Sequence, residues 1–454
     1  MIDLQQVLGD RPAWIVGGTV RDELLGRPLR DIDLAVVGDP EPPAREIAAA
    51  VRGPVFRLSE AFGAWRVIDR GTIYDVSPLQ GETVEEDLGR RDFTVNAMAR
   101  SLAGGELIDP HGGRGDLEER VLRVLGAGAY RDDPLRPLRL ARLAAELDFA
   151  PDSETERLTR EAAPRVADAS PERQFAELRR LMLAPRILDG LGLADRLGVL
   201  EAVLPEVTAL HGLEQSHFHH LDVYDHTLEV VGHQVELEGR LEEFEPRLRA
   251  ALDEPLGEEL SRLEAIRFGA LLHDIGKPAT RGTRPDGRVT FIGHDTVGEE
   301  MVHVLCRRLR TSERFARFVG GLTKHHLVLG FLVHQRPLSR ETVFAYLDLT
   351  EPVEVEVTLL SCADRLATRG KNAEQAIERH LDLAKELMTE ALDWRSSGGP
   401  KAPIRGDELA DALGVERGPE LGGLLEQLRR AAFTGEAQTP DQAVELARKL
   451  RHNP

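Results

Sequence analysis

WIVGGTVRDELLGRPLRDIDLAVV, residues 14–37, is the stretch on which the fold turns. Trp14-Ile15-Val16 is a short apolar run, and Gly17-Gly18 stop it. Thr19 is placed to cap a helix holding Val20, Leu24 and Leu25, and Gly26 ends that helix. Asp31-Ile32-Asp33 then opens a second strand that runs on through Leu34-Ala35-Val36-Val37. Residues two apart in a strand point to the same face, so Asp31 and Asp33 present adjacent carboxylates while Ile32 turns into the core.

Two carboxylates on one face repel unless a cation lies between them. Oxygen ligands suit Mg²⁺, and Mg²⁺ suits a nucleoside triphosphate. The Gly17-Gly18 turn, opening a helix, offers free backbone N–H groups to a phosphate, and Arg21 on the first turn can reach the same anion. An isolated Asp-x-Asp on a surface strand would carry little meaning. Strand, glycine turn, helix and acidic strand together say more.

Outward from this stretch, residues 1–125 alternate short strands with helices, an α+β pattern. A turn is expected at Pro40–Pro43, a helix at Ala44–Val51, and strands at Val55–Leu58, Trp65–Asp69 and Thr72–Ser77. Asp75 lies within the last strand, either as a capped edge residue or as a further carboxylate beside the pair. Arg90-Arg91-Asp92-Phe93-Thr94-Val95-Asn96 follows. Arginine supplies a planar fork for phosphate, and Asp92 and Asn96, expected on one helix face, can bond ribose hydroxyls. From residue 126 the strand signal ends. Asp133, Arg136 and Arg139 recur every three residues on a helix and so share a face, either as a solvated row of ion pairs or as a face that reads a base. A carboxylate accepts from the exocyclic amine of cytosine or adenine, and an arginine donates to the adjacent ring nitrogen. Uracil and guanine present the opposite pattern and would leave buried groups unpaired.

These motifs, in this order, resemble bacterial tRNA CCA-adding enzymes and poly(A) polymerases. The resemblance implies a polymerase-β-like nucleotidyltransferase head with a mixed sheet (1–125), an all-helical neck that templates the base and binds RNA (126–210), and two further helical regions. It implies that Asp31 and Asp33 are catalytic and hold Mg²⁺. Gly17, Gly18, Arg21, Arg91, Asp92, Asn96, Asp133, Arg136 and Arg139 would bind nucleotide, with Arg21, Arg91 and Arg139 on phosphates. Asp132-Asp133-Pro134-Leu135-Arg136 departs from the family's template motif, Glu-Asp-x-x-Arg, in its leading residue. Glu172–Met182 is similar to the family's last neck motif, with Arg173, Arg179, Arg180 and Arg186 forming a basic helix or a plain charged surface. The segment Val76–Arg90 is shorter than the flexible loop usual in full CCA-adding relatives, which leaves CC addition alone as an alternative to CCA addition.

Residues 211–395 read as helical and carry most of the histidines. His226, the His273-Asp274 pair and Asp364 resemble the ligand set of HD metal-phosphohydrolases. That resemblance assigns them to one metal, of unknown identity, with His294 and His325 as candidates for a second; adjacent His326 is an equal alternative to His325. Such a site supports hydrolysis of a phosphate ester by a metal-activated water. A Ser396–Pro400 linker and a helical tail over 401–454 complete the chain.

The net charge of −20, from 58 basic and 78 acidic residues, argues against a protein that coats nucleic acid non-specifically. It permits a local basic patch gripping one RNA end. The expected partners are therefore a tRNA 3′ end, CTP and ATP. No apolar run spans a membrane, the N-terminus lacks a signal peptide, and Cys306 and Cys362 do not make a disulfide framework, so a cytoplasmic location is expected. Poly(A) synthesis shares the same motifs. A regulatory protein uridylyltransferase also joins a transferase to an HD domain, but needs a longer effector-binding tail and gives Asp133 and Arg136 no role.

Overall fold

A computed structural model describes residues 2–58, 63–215, 221–368 and 373–452. The chain divides into two compact units, Met1–Pro205 and Glu206–Pro454.

The first unit opens with α1 (Leu4–Leu8), β1 (Ala13–Val16), α2 (Gly18–Leu24), β2 (Asp31–Val36) and α3 (Glu41–Val51). Then come β3 (Val55–Arg57), β4 (Trp65–Asp69), β5 (Thr72–Pro78), α4 (Val84–Leu88) and β6 (Ala99–Ser101). The six strands form one mixed sheet in the order β3-β4-β5-β2-β1-β6. β2 and β5 run parallel, and the other neighbours are antiparallel.

Alternation along β2 explains the layering. Ile32, Leu34 and Val36 face α3 and pack with Ala44, Ile47, Val67, Tyr74 and Val76. Ala35 lies on the opposite face with Val16, Val84, Leu88 and Ala97, and the period of two puts Asp31 and Asp33 on that face too. The register sets Asp33 directly beside Asp75 of β5, which is an interior strand. The edge position considered for Asp75 is therefore excluded. Pro42 and Pro43 lie inside the first turn of α3 rather than in a preceding turn, where their missing N–H groups cost nothing.

The unit continues with α5 (Gly113–Glu119), β7 (Val121–Leu122), α6 (Ala127–Asp132), α7 (Arg136–Leu147), β8 (Ala150–Pro151), α8 (Ser153–Ala162) and α9 (Pro171–Leu183). α10 (Ile187–Arg196) and α11 (Val199–Val203) close it, and α12 (Pro205–Thr208) starts on its last residue and runs into the second unit. The region beyond residue 126 is not wholly helical, because β8 pairs in parallel with β7. Two residues per strand give too short a pattern to read in sequence.

In the second unit the helices are α13 (Val223–Glu238), α14 (Leu248–Leu252), α15 (Arg262–Leu272), α16 (Lys277–Thr280), α17 (His294–Arg308), α18 (Glu313–His325), α19 (Val328–Leu332), α20 (Arg340–Thr350), α21 (Glu354–Leu366) and α22 (Ala373–Ser397). Two small hairpins interrupt them, Pro255–Gly257 with Leu260–Ser261 and Gly282–Thr283 with Val289–Thr290. α22 absorbs Ser396 and Ser397, so the linker begins at Gly398, where two glycines adopt positive φ. The tail, α23 (Gly406–Leu413), α24 (Pro419–Thr434) and α25 (Pro440–His452), has its own small core around Leu409, Leu424 and Leu428.

Candidate active sites

The first site is built at the β1–α2 turn. Gly17 has φ +69°, and a Cβ there would lie 2.5 Å from Arg91 Nη1 and 3.5 Å from Asp33 Oδ2. Only glycine lets this turn, the arginine and the carboxylate approach one another. Thr19 is not the helix cap; Gly17 holds that position. Instead the Thr19 hydroxyl donates to the Asp31 carbonyl at 3.1 Å and accepts from the Asp33 N–H at 2.8 Å. A buried hydroxyl thus fastens α2 to the acidic strand. The sequence could not show this, because the partners lie 12 and 14 residues away.

Asp31 is exposed and Asp33 half-buried. Burial, and the neighbouring Asp75 and Asp31 carboxylates, push Asp33 up to about 6 against the pull of Arg91 and Arg21. A site that disfavours its own negative charge is one that a cation completes. Asp75 is tied to Arg66 by two hydrogen bonds of 2.8 and 2.7 Å.

The Arg90–Asn96 segment is a turn rather than a helix; only Thr94–Asn96 form a single 3₁₀ turn. Asp92 and Asn96 nonetheless meet, Asn96 Nδ2 donating to Asp92 Oδ1 at 2.9 Å. Asn96 Oδ1 accepts from Arg21 at 2.6 Å, and Arg21 also grips Asp22 with two bonds of 2.9 Å. Arg91 is held by Asp87 at 3.0 Å, a partner with no signature in the sequence beyond its i−4 spacing.

Arg139 is fastened between Asp92, at 3.1 Å, and Glu177 of α9, at 2.9 Å. Two carboxylates thus engage the guanidinium expected on phosphate. Burial opposes the Asp92 charge, but Arg139, Asn96 and the Phe93 N–H outweigh it and hold the carboxyl at about 2. Glu177 also accepts from Arg142 at 2.5 Å. Arg136 donates to the carbonyls of Arg90 and Arg91, both at 2.8 Å, and to that of Ala129 at 3.1 Å. Asp133 accepts from Arg173 at 2.6 Å. The segment expected to read the base is thus folded directly against the Arg-Arg-Asp turn.

The second site lies in the other unit. His226 comes from α13, His273 caps α15, Asp274 follows it, His294 opens α17 and Asp364 lies on α21. His226, His273 and Asp274 form one compact donor group, and Asp274, His294 and His326 another. His226 Nε2 is also 3.1 Å from Asp364 Oδ1. The imidazole in the second group is His326, not His325. His326 is buried among the donors, while His325 is partly exposed beside them in sequence only.

The protonation pattern fits a cation. His273, His294 and His326 each direct Nδ1 at a backbone carbonyl, at 2.9, 2.7 and 2.6 Å. A carbonyl only accepts, so Nδ1 carries a proton and Nε2 is the atom turned to the carboxylate, available to a metal once it has released any proton of its own. The Nε2 atoms of His294 and His326 then face each other at 3.4 Å. Neither Asp274 oxygen accepts a well-aligned hydrogen bond. Burial opposes the Asp274 charge, but His273, Lys277 and His294 hold the carboxyl well below its ordinary value. Burial pushes His326 down to about 4, toward the neutral form a metal needs. Gly276 is required here: a Cβ would lie 2.1 Å from the His294 carbonyl oxygen. His226, Asp274, His294, His326 and Asp364 line a cavity of about 750 Å³, together with Lys277, Phe291, Arg365 and His380. Lys277, 2.6 Å from Asp274, was legible only as the i+3 neighbour of the carboxylate.

Comparison with known proteins decides the family. The chain is 35% identical to the A-adding tRNA nucleotidyltransferase of Deinococcus radiodurans, over 95% of this chain and 94% of that one. It belongs to the tRNA nucleotidyltransferase family. The CC-adding tRNA nucleotidyltransferase of Thermus thermophilus is 34% identical over 95% of this chain and 92% of its own. Family models match at residues 13–123 (poly A polymerase head domain), 148–210 (probable RNA and SrmB-binding site of polymerase A) and 223–369 (HD domain). In this nucleotidyltransferase, Asp31 and Asp33 lie within the first match, and the histidine cluster lies within the third. A solved CCA-adding enzyme in complex with CTP shares the fold, at TM-score 0.64 and 21% identity, covering 99% of this chain and 93% of that one. No helix among the described residues is long and apolar enough to cross a membrane.

Proposed function

We propose that this nucleotidyltransferase transfers CMP, AMP or both in turn from CTP and ATP to the 3′ end of tRNA. The observation that carries the reading is the meeting of two elements in one place. The Asp31/Asp33 pair lies beside the Gly17–Arg91 turn, and the Asp133–Arg136 segment packs on the backbone of that same Arg90–Arg91 stretch. Chemistry and base choice are thereby joined through one short segment. The tRNA specificity is supported by the relatives, whose names include A-adding and CC-adding tRNA nucleotidyltransferases and multifunctional CCA proteins.

Asp31 and Asp33 are the residues that would hold Mg²⁺, which when bound favours attack of a 3′-hydroxyl on the α-phosphate and steadies the departing pyrophosphate. Gly17 and Gly18 admit the triphosphate against the start of α2, and Arg91, kept extended by Asp87, neutralises it. Asn96 and Asp92 form the hydrogen-bonded wall that meets the ribose, and Arg21, bonded to Asn96, meets the phosphates. Asp133 accepts from the exocyclic amine of cytosine or adenine, and Arg136 donates to the ring nitrogen. Arg139 fixes Asp92 in that wall. In the second unit His226, His273, Asp274 and Asp364 would hold one divalent cation, and His294 and His326 with Asp274 a second, giving a phosphohydrolase centre. We read the functional division as catalytic head 1–125, template and RNA-binding neck 126–210, HD domain 211–395 and helical tail 401–454. The location is read as cytoplasmic, where tRNA ends are processed.

The test is Asp31→Ala in a labelled-CTP and labelled-ATP transfer assay on truncated tRNA. Transfer is expected to fall at least a thousandfold with the thermal midpoint kept; retained transfer would contradict the assignment.

A further inference from the structure

Two residues one helical turn apart on α9, Arg173 and Glu177, hold opposite ends of the base-reading segment. Arg173 Nη2 donates to Asp133 Oδ2 at 2.6 Å. Glu177 Oε1 accepts from Arg139 at 2.9 Å, and Arg139 in turn reaches Asp92 at 3.1 Å. Spacing of i, i+4 places Arg173 and Glu177 on one face of the helix. A continuous chain therefore runs from the ribose-facing Asp92 through Arg139 to α9, and from α9 through Arg173 back to Asp133. The other Asp133 oxygen accepts from the Leu135 N–H at 3.1 Å, so the plane of the carboxylate is fixed from both sides.

From this geometry we infer that Arg173 is a specificity-positioning residue. It holds the Asp133 carboxylate at a set angle and distance from Arg136, so that the pair matches the amine-and-acceptor edge of cytosine or adenine and rejects the reverse edge of uracil or guanine. The inference rests on the proposed template role of Asp133. Discrimination of this kind depends on leaving the wrong base's groups unpaired, and that requires a partner that cannot swing to meet them. A carboxylate free to rotate could turn one oxygen away from a uracil carbonyl and lose the penalty. The charge-assisted bond from Arg173 removes that freedom. Arg173 is suited to such a test because its side chain is 47% exposed and carries little of the core. Glu177 is buried, and its loss would disturb Arg142 as well.

The experiment compares wild type, Arg173→Ala and Arg173→Lys in single-nucleotide addition, reading kcat/KM for CTP, ATP, UTP and GTP, with nucleotide Kd and thermal midpoint measured alongside. Arg173→Ala is expected to cut discrimination of CTP over UTP about tenfold, chiefly through gained UTP use, with the midpoint unchanged. Arg173→Lys, which keeps the charge, should restore part of it. An unchanged ratio in Arg173→Ala would overturn the inference, as would a uniform loss for all four nucleotides, the mark of a merely structural or RNA-binding role. A wild-type protein with no preference among the four in either kinetics or binding would overturn the template reading itself, and this inference with it.

Discussion

At the scale of single residues, Asp33 is where stability and function pull apart. Its folded-state value of about 6 lies above the ordinary 3.8, so the folded protein binds the proton more tightly than the unfolded chain. In the metal-free protein this burden is fully present above about pH 6 and is relieved as pH falls toward 4. Asp33→Asn should therefore raise the thermal midpoint of the metal-free protein at pH 7.5, flatten its rise between pH 7.5 and 5, and abolish transfer. Thermal scans across pH with and without Mg²⁺ check this; an unchanged midpoint and slope would contradict it. Residue types and spacing made Asp31 and Asp33 legible as candidates, and the family resemblance singled out Asp133 and Arg136 from what would otherwise be a charged helix face. Arg139 was not legible as a scaffold, since its carboxylates come from a turn 47 residues before it and a helix 38 residues after. His325 and His326 were indistinguishable in sequence, because the end of α18 decides which imidazole turns inward. His326→Ala should remove metal-dependent phosphatase activity toward a generic phosphomonoester in the second unit, and His325→Ala should change it by less than about threefold. Metal titration followed by hydrolysis rates separates the two, and equal losses would count against the cluster as described.

Among the elements, β2 and α2 show how a correct outline hides a wrong detail. The strand–turn–helix–strand order was readable from apolar runs and glycines, and the observed strands fall within a residue or two of expectation. The capping role given to Thr19 failed because cap rules look only at neighbours along the chain. Its hydroxyl serves a strand a dozen residues later, making two hydrogen bonds there while nearly fully buried. Thr19→Val should lower stability by about 1–3 kcal/mol, as an unpaired buried N–H is left at Asp33. It should also slow transfer by shifting the acidic strand against the glycine turn. Urea unfolding with single-turnover kinetics measures both, and a loss of stability without a change in rate would mean that the staple does not set the site. The Arg90–Asn96 segment makes a similar point. Asp92 and Asn96 meet as the shared helix face implied, but within a tight turn, where Arg136 and the Leu125 N–H draw on its carbonyl groups from outside.

For the whole molecule, the chain holds an acidic pair and a histidine cluster in two separate compact units. The short strand pairs β7–β8 and the two hairpins were missed because two or three residues hold no periodicity. The larger plan, strands alternating with helices and then helices alone, was readable because each part repeats its pattern over many residues, while the mixed sheet and the histidine cluster were implied by the family resemblance. The central claim concerns the first unit: that Asp31 and Asp33 transfer nucleotides to RNA under the choice of Asp133 and Arg136. The most direct measurement is incorporation from all four labelled triphosphates onto tRNAs lacking CCA, lacking CA and lacking the terminal A, with the products sequenced. The account predicts CMP or AMP added at one or more of these ends, in the order of the CCA sequence, with negligible UMP and GMP. Absence of transfer to every end, or addition of all four nucleotides alike, would contradict it.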